Sequence, residues 1–352
     1  GAIAARLTEA LAGIRTIAAA ATTDRETERI LQPLSDLSER GRRMWKVLAR
    51  SSAQAAVAGP VVLVAVLAVG GFAVAAGRIT AGELFAASRY AILGAGLGGL
   101  TGVLGVLSRS RAATQRVTEV LAAPAMTYGA RALPSRVDGQ LEFRGVHNVD
   151  LIIPGGAFVA VVGLSGSGKS HLAALAARLC DPSHGQVLLD SVPLTELSHD
   201  DIRAAIGYAF ERPELVGRTV GDALGRSQAA ALRGAAAMEA HSFVVRLPSG
   251  YQTPLAEVPM SGGERQRLGL ARIWDAQRVL VLDDALSSLD TVTSARLLRR
   301  LRLDPRTRIV VTHRVAVAAQ ADMVVWLDSQ QIRDTGPHEL LWHEPGYQEV
   351  LQ

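Results

Sequence analysis

Cysteine is nearly missing from these 352 residues, with Cys180 standing alone. A single thiol excludes an intrachain disulfide framework and a cysteine-built zinc site, and it suits a reducing compartment in which Cys180 is a buried helix residue. Lysine is almost as scarce, since only Lys46 and Lys169 of the 37 basic residues are lysine. This arginine-for-lysine usage, with abundant alanine, points to a high-GC bacterial genome and makes each remaining lysine worth attention. Aromatics make up 4% and charged residues 20% of the chain. The net charge of +4 is small for this length and calls for no nucleic acid partner. No basic n-region with a short apolar core and cleavage site opens the chain. Gly1 in first position reads as a start inside a longer protein.

What the chain has instead is apolar length. Hydrophobic residues reach 49%, and they cluster: Ser51 to Gly77 runs 27 residues without a charge and Tyr90 to Ser108 runs 19. A membrane span needs roughly 20 apolar residues, whereas a buried helix of a soluble protein shows polar punctuation sooner. Arg40, Arg42, Arg43, Lys46 and Arg50 precede the first stretch, Arg109, Arg111 and Arg116 follow the second, and Arg78, Glu83 and Arg89 lie between them. The positive-inside rule then predicts a hairpin with its joining loop outside and everything after Arg109 in the cytosol. Pro60 and the glycines at 94, 96, 98, 99, 102 and 105 allow kinks and close helix contact.

Residues 2–30 and 109–121 carry helical periodicity and read as cytosolic extensions, broken near Pro33. Residues 122–139 hold two prolines and no period, which predicts a linker. Beyond it, apolar runs such as AFVAVVG and RVLVLDD alternate with helical stretches, the pattern of an α/β domain with a largely parallel sheet. The expected organisation is therefore membrane helices over 1–121, a linker over 122–139 and an α/β domain over 140–352.

The strongest motif is GLSGSGKS at 163–170, which matches G-x-x-x-x-G-K-[ST] between an apolar strand and a helical run. Gly163, Gly166 and Gly168 let the backbone fold into a ring of amide donors, Ser165 included, around phosphates at the positive end of the following helix. Lys169 supplies a point charge for the β- and γ-phosphates, and Ser170 a Mg²⁺ ligand. The strand ending in Asp283 and Asp284 places Asp283 beside this loop as a second metal group.

Ser261 to Glu264 in PMSGGERQRLGLAR separates the chain from other P-loop proteins. Together with the phosphate loop, LDD, SSLD at 287–290 and His313 in VVTHR, it resembles the ATP-binding-cassette family, whose signature is usually LSGGQ. ITAGEL at 79–84 and RVTEVL at 116–121 are similar to the last two membrane helices of an exporter-type half-transporter. The resemblance implies a transmembrane hairpin followed by an α/β P-loop NTPase domain of the ABC ATPase type. It implies ATP and Mg²⁺ as ligands, a second half-transporter as partner, and transport across a bacterial plasma membrane with the ATPase domain in the cytoplasm. Ser261, Gly262 and Gly263 would meet ATP bound on the partner, Asp290 would touch across the dimer, and His313 would sense the γ-phosphate.

Two departures accompany the match. The family's catalytic glutamate is Asp284 here, one methylene shorter, and a base withdrawn by about 1.5 Å can cost roughly 10²-fold in rate. The family's loop glutamine is Glu211, an added anion at the metal and γ-phosphate. Both imply a slow, degenerate half of a heterodimer, with a homodimer, a regulatory ATP-binding subunit and a siderophore importer as alternatives. FRGVHNVDL at 143–151 lacks the family's adenine-stacking aromatic, and 225–228 is short. The wording of 253–272 and 281–290 is similar to actinobacterial transporters of modified peptides, so the cargo expected is a peptide or other small molecule.

Overall fold

The computed structural model describes residues 2–96, 100–123, 125–134, 138–146, 149–225 and 227–351. The chain divides into two compact units, Gly1–Ala123 and Pro124–Gln352.

The first unit is helical: α1 (Ala2–Ala12), α2 (Ile14–Ala19), α3 (Thr23–Leu31), α4 (Leu34–Ala75), α5 (Ala81–Gly96) and α6 (Leu100–Leu121). Arg29 ties α1 to α3, pairing with Glu9 at 3.2 Å and Glu26 at 2.6 Å while its carbonyl accepts from Arg6 at 2.7 Å. Pro33 stands at the N-cap of α4, where its missing N–H costs nothing. At 1.5 Å per residue α4 is about 60 Å long, so its basic first turns extend well past the uncharged part. Among the described residues the helical run Thr23–Ala75 is the one candidate long and apolar enough to cross a membrane. Val57, Val61, Val64, Leu67 and Phe72 are all exposed along it, the pattern of a helix that meets lipid or other helices rather than water. The second predicted span, Tyr90–Ser108, divides between α5 and α6 and includes residues 97–99, outside the described residues. Gly70 lets α5 approach α4, because a Cβ there would meet Leu84 Cδ1 at 2.2 Å. ITAGEL proves to be a helix start: Thr80 N–H donates to Glu83 at 2.7 Å and Glu83 N–H to the Thr80 hydroxyl at 3.2 Å.

The second unit runs β1 (Leu141–Val146), β2 (Val149–Ile153), β3 (Phe158–Gly163), α7 (Lys169–Ala176), β4 (Gln186–Leu189), β5 (Val192–Pro193), α8 (His199–Ala205) and β6 (Ile206–Ala209). Helices α9 (Val220–Leu224), α10 (Gln228–Ala237), α11 (His241–Val244) and α12 (Gly262–Ile273) follow. The chain returns through β7 (Val279–Asp283), α13 (Thr291–Leu303), β8 (Thr307–Val311), α14 (Val315–Ala318), β9 (Met323–Asp328), β10 (Gln331–Gly336), α15 (His338–Leu341) and α16 (Pro345–Val350).

Two sheets form, one of order β2-β1-β4-β5 and one of order β10-β9-β3-β8-β7-β6. In the larger sheet β9, β3, β8, β7 and β6 are parallel and β10 is antiparallel. Every residue of β3 is buried, as a central strand covered on both faces requires. One face packs with α7 on the antiparallel sheet, and the other packs on α10, α12 and α13. Because β3, β6, β7 and β8 run the same way, the segments leaving their carboxyl ends gather along one edge, where ligands of open α/β sheets bind.

Most of the expected linker lies on this second unit. Gly129 and Arg131 N–H donate to the carbonyls of Leu197 and Glu196 at 3.1 and 2.9 Å, and Arg178 stacks on the Tyr128 ring at 4.5 Å. A single bridging residue pair leaves no period for the sequence to show. The stretches expected to be short around 143–151 and 225–228 include residues 147–148 and 226, outside the described residues.

Candidate functional site

The site starts where β3 ends. A Cβ at Gly163 would come within 2.4 Å of the Leu327 carbonyl, and Gly166 holds φ +81° in open space, so the loop needs glycine once for closeness and once for conformation. Gly168 is the left-handed N-cap of α7, and exposed Ser165 completes the loop. The first amides of α7 therefore point where an anion would be held. Inside the loop the Lys169 ammonium donates to the Gly163 and Leu164 carbonyls at 2.7 and 2.8 Å. Burial pulls the lysine below its ordinary pKa, and the charges of Asp284 and Asp283 work against that shift.

Asp283 closes β7, and both its oxygens are occupied. The Ser170 hydroxyl donates to one at 2.9 Å and the Tyr208 hydroxyl to the other at 2.9 Å. Tyr208 stands on β6 beside Val281 of β7. Burial, then the Asp283 charge, raises the Tyr208 pKa, so the phenol remains a donor. Tyr208 leaves little trace in the sequence, a single hydroxyl in the short apolar strand IGYA.

Asp284 holds φ +47°, a left-handed conformation that aspartate tolerates better than most residues. Its carboxylate lies 3.3 Å from His313 Nδ1, and His313 follows β8 by two residues. Burial raises the Asp284 carboxyl, with the charges of Asp283 and Glu211 adding to the rise and those of His313 and Lys169 opposing it. Glu211 follows β6 by two residues, and its carboxylate stands 3.8 Å from the Arg212 guanidinium. The structure thus gathers Lys169, Ser170, Asp283, Asp284, His313 and Glu211 along one sheet edge.

Ser261, Gly262, Gly263 and Asp290 form a second cluster. Ser261 caps α12: its N–H and hydroxyl donate to Glu264 at 2.9 and 2.8 Å, and its Oγ accepts from Glu264 N–H at 3.2 Å. The Ser261 N–H holds the Glu264 carboxyl below its usual range. Gly262 and Gly263 make the first turn of α12 against Ser288, whose carbonyl a Cβ at Gly263 would meet at 3.1 Å. Asp290 caps α13 by accepting from Thr293 N–H at 2.9 Å.

Ser170 and Asp283 offer hard oxygen donors side by side, which suits Mg²⁺. Among the described residues no group of three or more His, Cys, Asp or Glu side chains could hold a metal. The fit is therefore to a cation completed by water and substrate phosphates, the usual mode for Mg²⁺.

Known proteins share this arrangement. A family model described as ABC transporter matches residues 146–287, and one described as ABC transporter transmembrane region matches residues 1–94. The ABC transporter ATP-binding protein RamA of Streptomyces coelicolor is 47% identical over 99% of this chain and 58% of its own length. A multidrug efflux ATP-binding/permease protein of Mycobacterium tuberculosis is 33% identical over 97% of this chain and 31% of its own. The structure of a bacterial Atm1-family ABC exporter with ATP bound superposes with a TM-score of 0.79 at 25% identity, over 98% of this chain and 65% of that one. The chain thus spans 58%, 31% and 65% of the lengths of these three proteins. With the helical region matching one model and the phosphate loop, LDD strand and signature helix lying on the fold matched by the other, the chain belongs to the ABC transporter family.

Proposed function

We propose that this chain is part of one half of an ATP-driven exporter in a bacterial plasma membrane. In this reading residues 1–121 contribute the last two membrane helices of the half, and the α/β domain works in the cytoplasm. The observation that carries it is the phosphate-loop cluster, with Lys169 seated among the loop carbonyls and Ser170 bonded to Asp283. The names of RamA, the multidrug efflux protein and the Atm1-family exporter support transport, and two of the three support efflux.

Lys169 and the amides of 163–170 bind the phosphates of ATP. Ser170 and Asp283 would hold Mg²⁺, which when bound would supply positive charge against the phosphates, and Glu211 faces the same region. Water attacks the γ-phosphorus, the bond to the β-phosphate oxygen breaks, and Asp284 takes the proton while His313 holds that carboxylate in place. Asp284 is short for this task and Glu211 brings an anion, so hydrolysis here is slow. Ser261, Gly262 and Gly263 face ATP on a second half-transporter, with Asp290 at the same boundary. A heterodimer whose partner supplies a full-length glutamate suits these substitutions best. The cargo is a small molecule or peptide, and lipid surrounds the helices.

Lys169→Ala tests the reading through nucleotide affinity of the full transporter. The variant should bind ATP at this site about 100-fold more weakly, because a half-buried charge-to-phosphate contact is lost. Unchanged affinity, with binding at the partner's loop subtracted, would remove Lys169 from the site.

A further inference from the structure

Gln266 is 2% exposed, yet its amide nitrogen and oxygen are both engaged by two loops that belong to different parts of the site. Its amide nitrogen donates to the Glu211 carbonyl at 2.9 Å and to the Ser287 hydroxyl at 3.0 Å. Its amide oxygen accepts from Ser288 N–H at 2.9 Å. Gln266 sits on α12, one turn after the signature glycines, and those glycines rest on the same Ser288. One side chain therefore joins the signature helix, the Glu211 loop and the loop that runs from Asp284 to Asp290.

We infer that Gln266 is a positioning residue that makes these three segments move as one body. The inference rests on the reading that this chain binds and turns over ATP with a partner. A signature helix that meets the partner's nucleotide would then set the position of Glu211 at this chain's own phosphate loop, and that of Asp284 through Ser287 and Ser288. The chemistry requires an amide: leucine removes every bond, whereas glutamate keeps an acceptor for Ser288 and, while ionised, has no hydrogen to give to Glu211 or Ser287. A buried network fixed at both ends is stiff, and the same network half satisfied is worse than none.

The test uses the full transporter with its partner subunit and MgATP as the probe. Gln266→Leu should lower total ATP turnover about 30-fold and Gln266→Glu about 10-fold, because loss of positioning lowers rate more than binding. KM for ATP should stay within about two-fold in both. Amide hydrogen exchange of 208–216 and 284–290 should rise in both variants, while exchange of β3 stays as in the wild type. If Gln266→Leu fails to fold, Gln266→Glu, of the same size, decides. Unchanged turnover in a folded variant, or a fall in turnover matched by an equal loss of ATP affinity, would overturn the coupling. A wild-type transporter that neither binds nor hydrolyses ATP would instead overturn the site reading, and this inference with it.

Discussion

Lys169, Ser170 and Asp283 hold their partners at 2.7 to 2.9 Å, whereas Asp284 and His313 stand 3.3 Å apart and the Glu211 carboxylate approaches Arg212 at 3.8 Å. In the proposed reading the first group would grip phosphate and metal, and each member is fixed by a strand end or a helix start. The second group would handle water and the γ-phosphate, and it carries both departures from the family pattern. On that reading, binding and turnover would rest on different residues of the same edge. A chain can keep the first while weakening the second, because geometry tolerances for an attacking water are tighter than those for a multidentate anion cradle.

The sharpest way to break this comparison is to lengthen one side chain. Asp284→Glu should raise ATP turnover at this site about 10-fold, and Glu211→Gln on the same chain should carry the pair further, since in the proposed reading both would act on one water and one metal. Glutamate at a left-handed φ costs about 1 kcal/mol of stability, so thermal unfolding should shift down slightly while rate rises. Turnover that stays level or falls in both the single and the double variant means Asp284 is already a competent base.

Tyr208→Phe acts on the metal group instead of the attacking water, and its effect falls short of that double variant. Removing the hydroxyl frees one Asp283 oxygen and loosens the carboxylate that Ser170 shares. Loss of such an outer partner typically weakens metal binding about 10-fold. Mn²⁺ binding followed by electron paramagnetic resonance in the presence of ATP measures it, with ATP affinity in chelator as the control that should not move. Equal metal affinity in the two proteins would show that Ser170 alone orients Asp283.

The smallest effect concerns Glu264, whose carboxylate completes the cap of α12. Its pKa is depressed in the folded protein, so its stabilisation is present above the ordinary glutamate range and is lost as pH falls through the lowered value. Glu264→Gln should cost less than about 1 kcal/mol at neutral pH, because a charge at a helix start in contact with solvent is screened. Melting curves of the two proteins should differ slightly at pH 7 and converge near pH 3. A gap that persists in acid would assign the loss to packing instead of charge.

Much of this was legible in the residues. The phosphate loop announced itself because its glycines and its lysine have one dense purpose, and β3 and β7 because a strand buried on both faces must be apolar throughout. The family resemblance implies a dimer contact for Asp290, and the duty the structure gives it is local, the cap of α13. The segment near Tyr128 reads in the sequence as a linker because contacts to Leu197 and Arg178 leave no periodic trace. Tyr208 and Gln266 escaped for a related reason: each is a single polar residue in an otherwise ordinary strand or helix.

The sequence by itself determined the elements whose causes are local: the uncharged run of α4, the glycine turns at 163–168, the caps at Thr80 and Ser261. It also determined the order of the motifs, and with that the family. Only the tertiary structure decided which distant side chains share a hydrogen bond, as Tyr208 does with Asp283 and Gln266 with Glu211 and Ser288. Parallel strands β6, β7 and β8 bring to one edge segments that lie far apart along the chain, and hydrogen bonds act over about 3 Å in space whatever their separation in sequence.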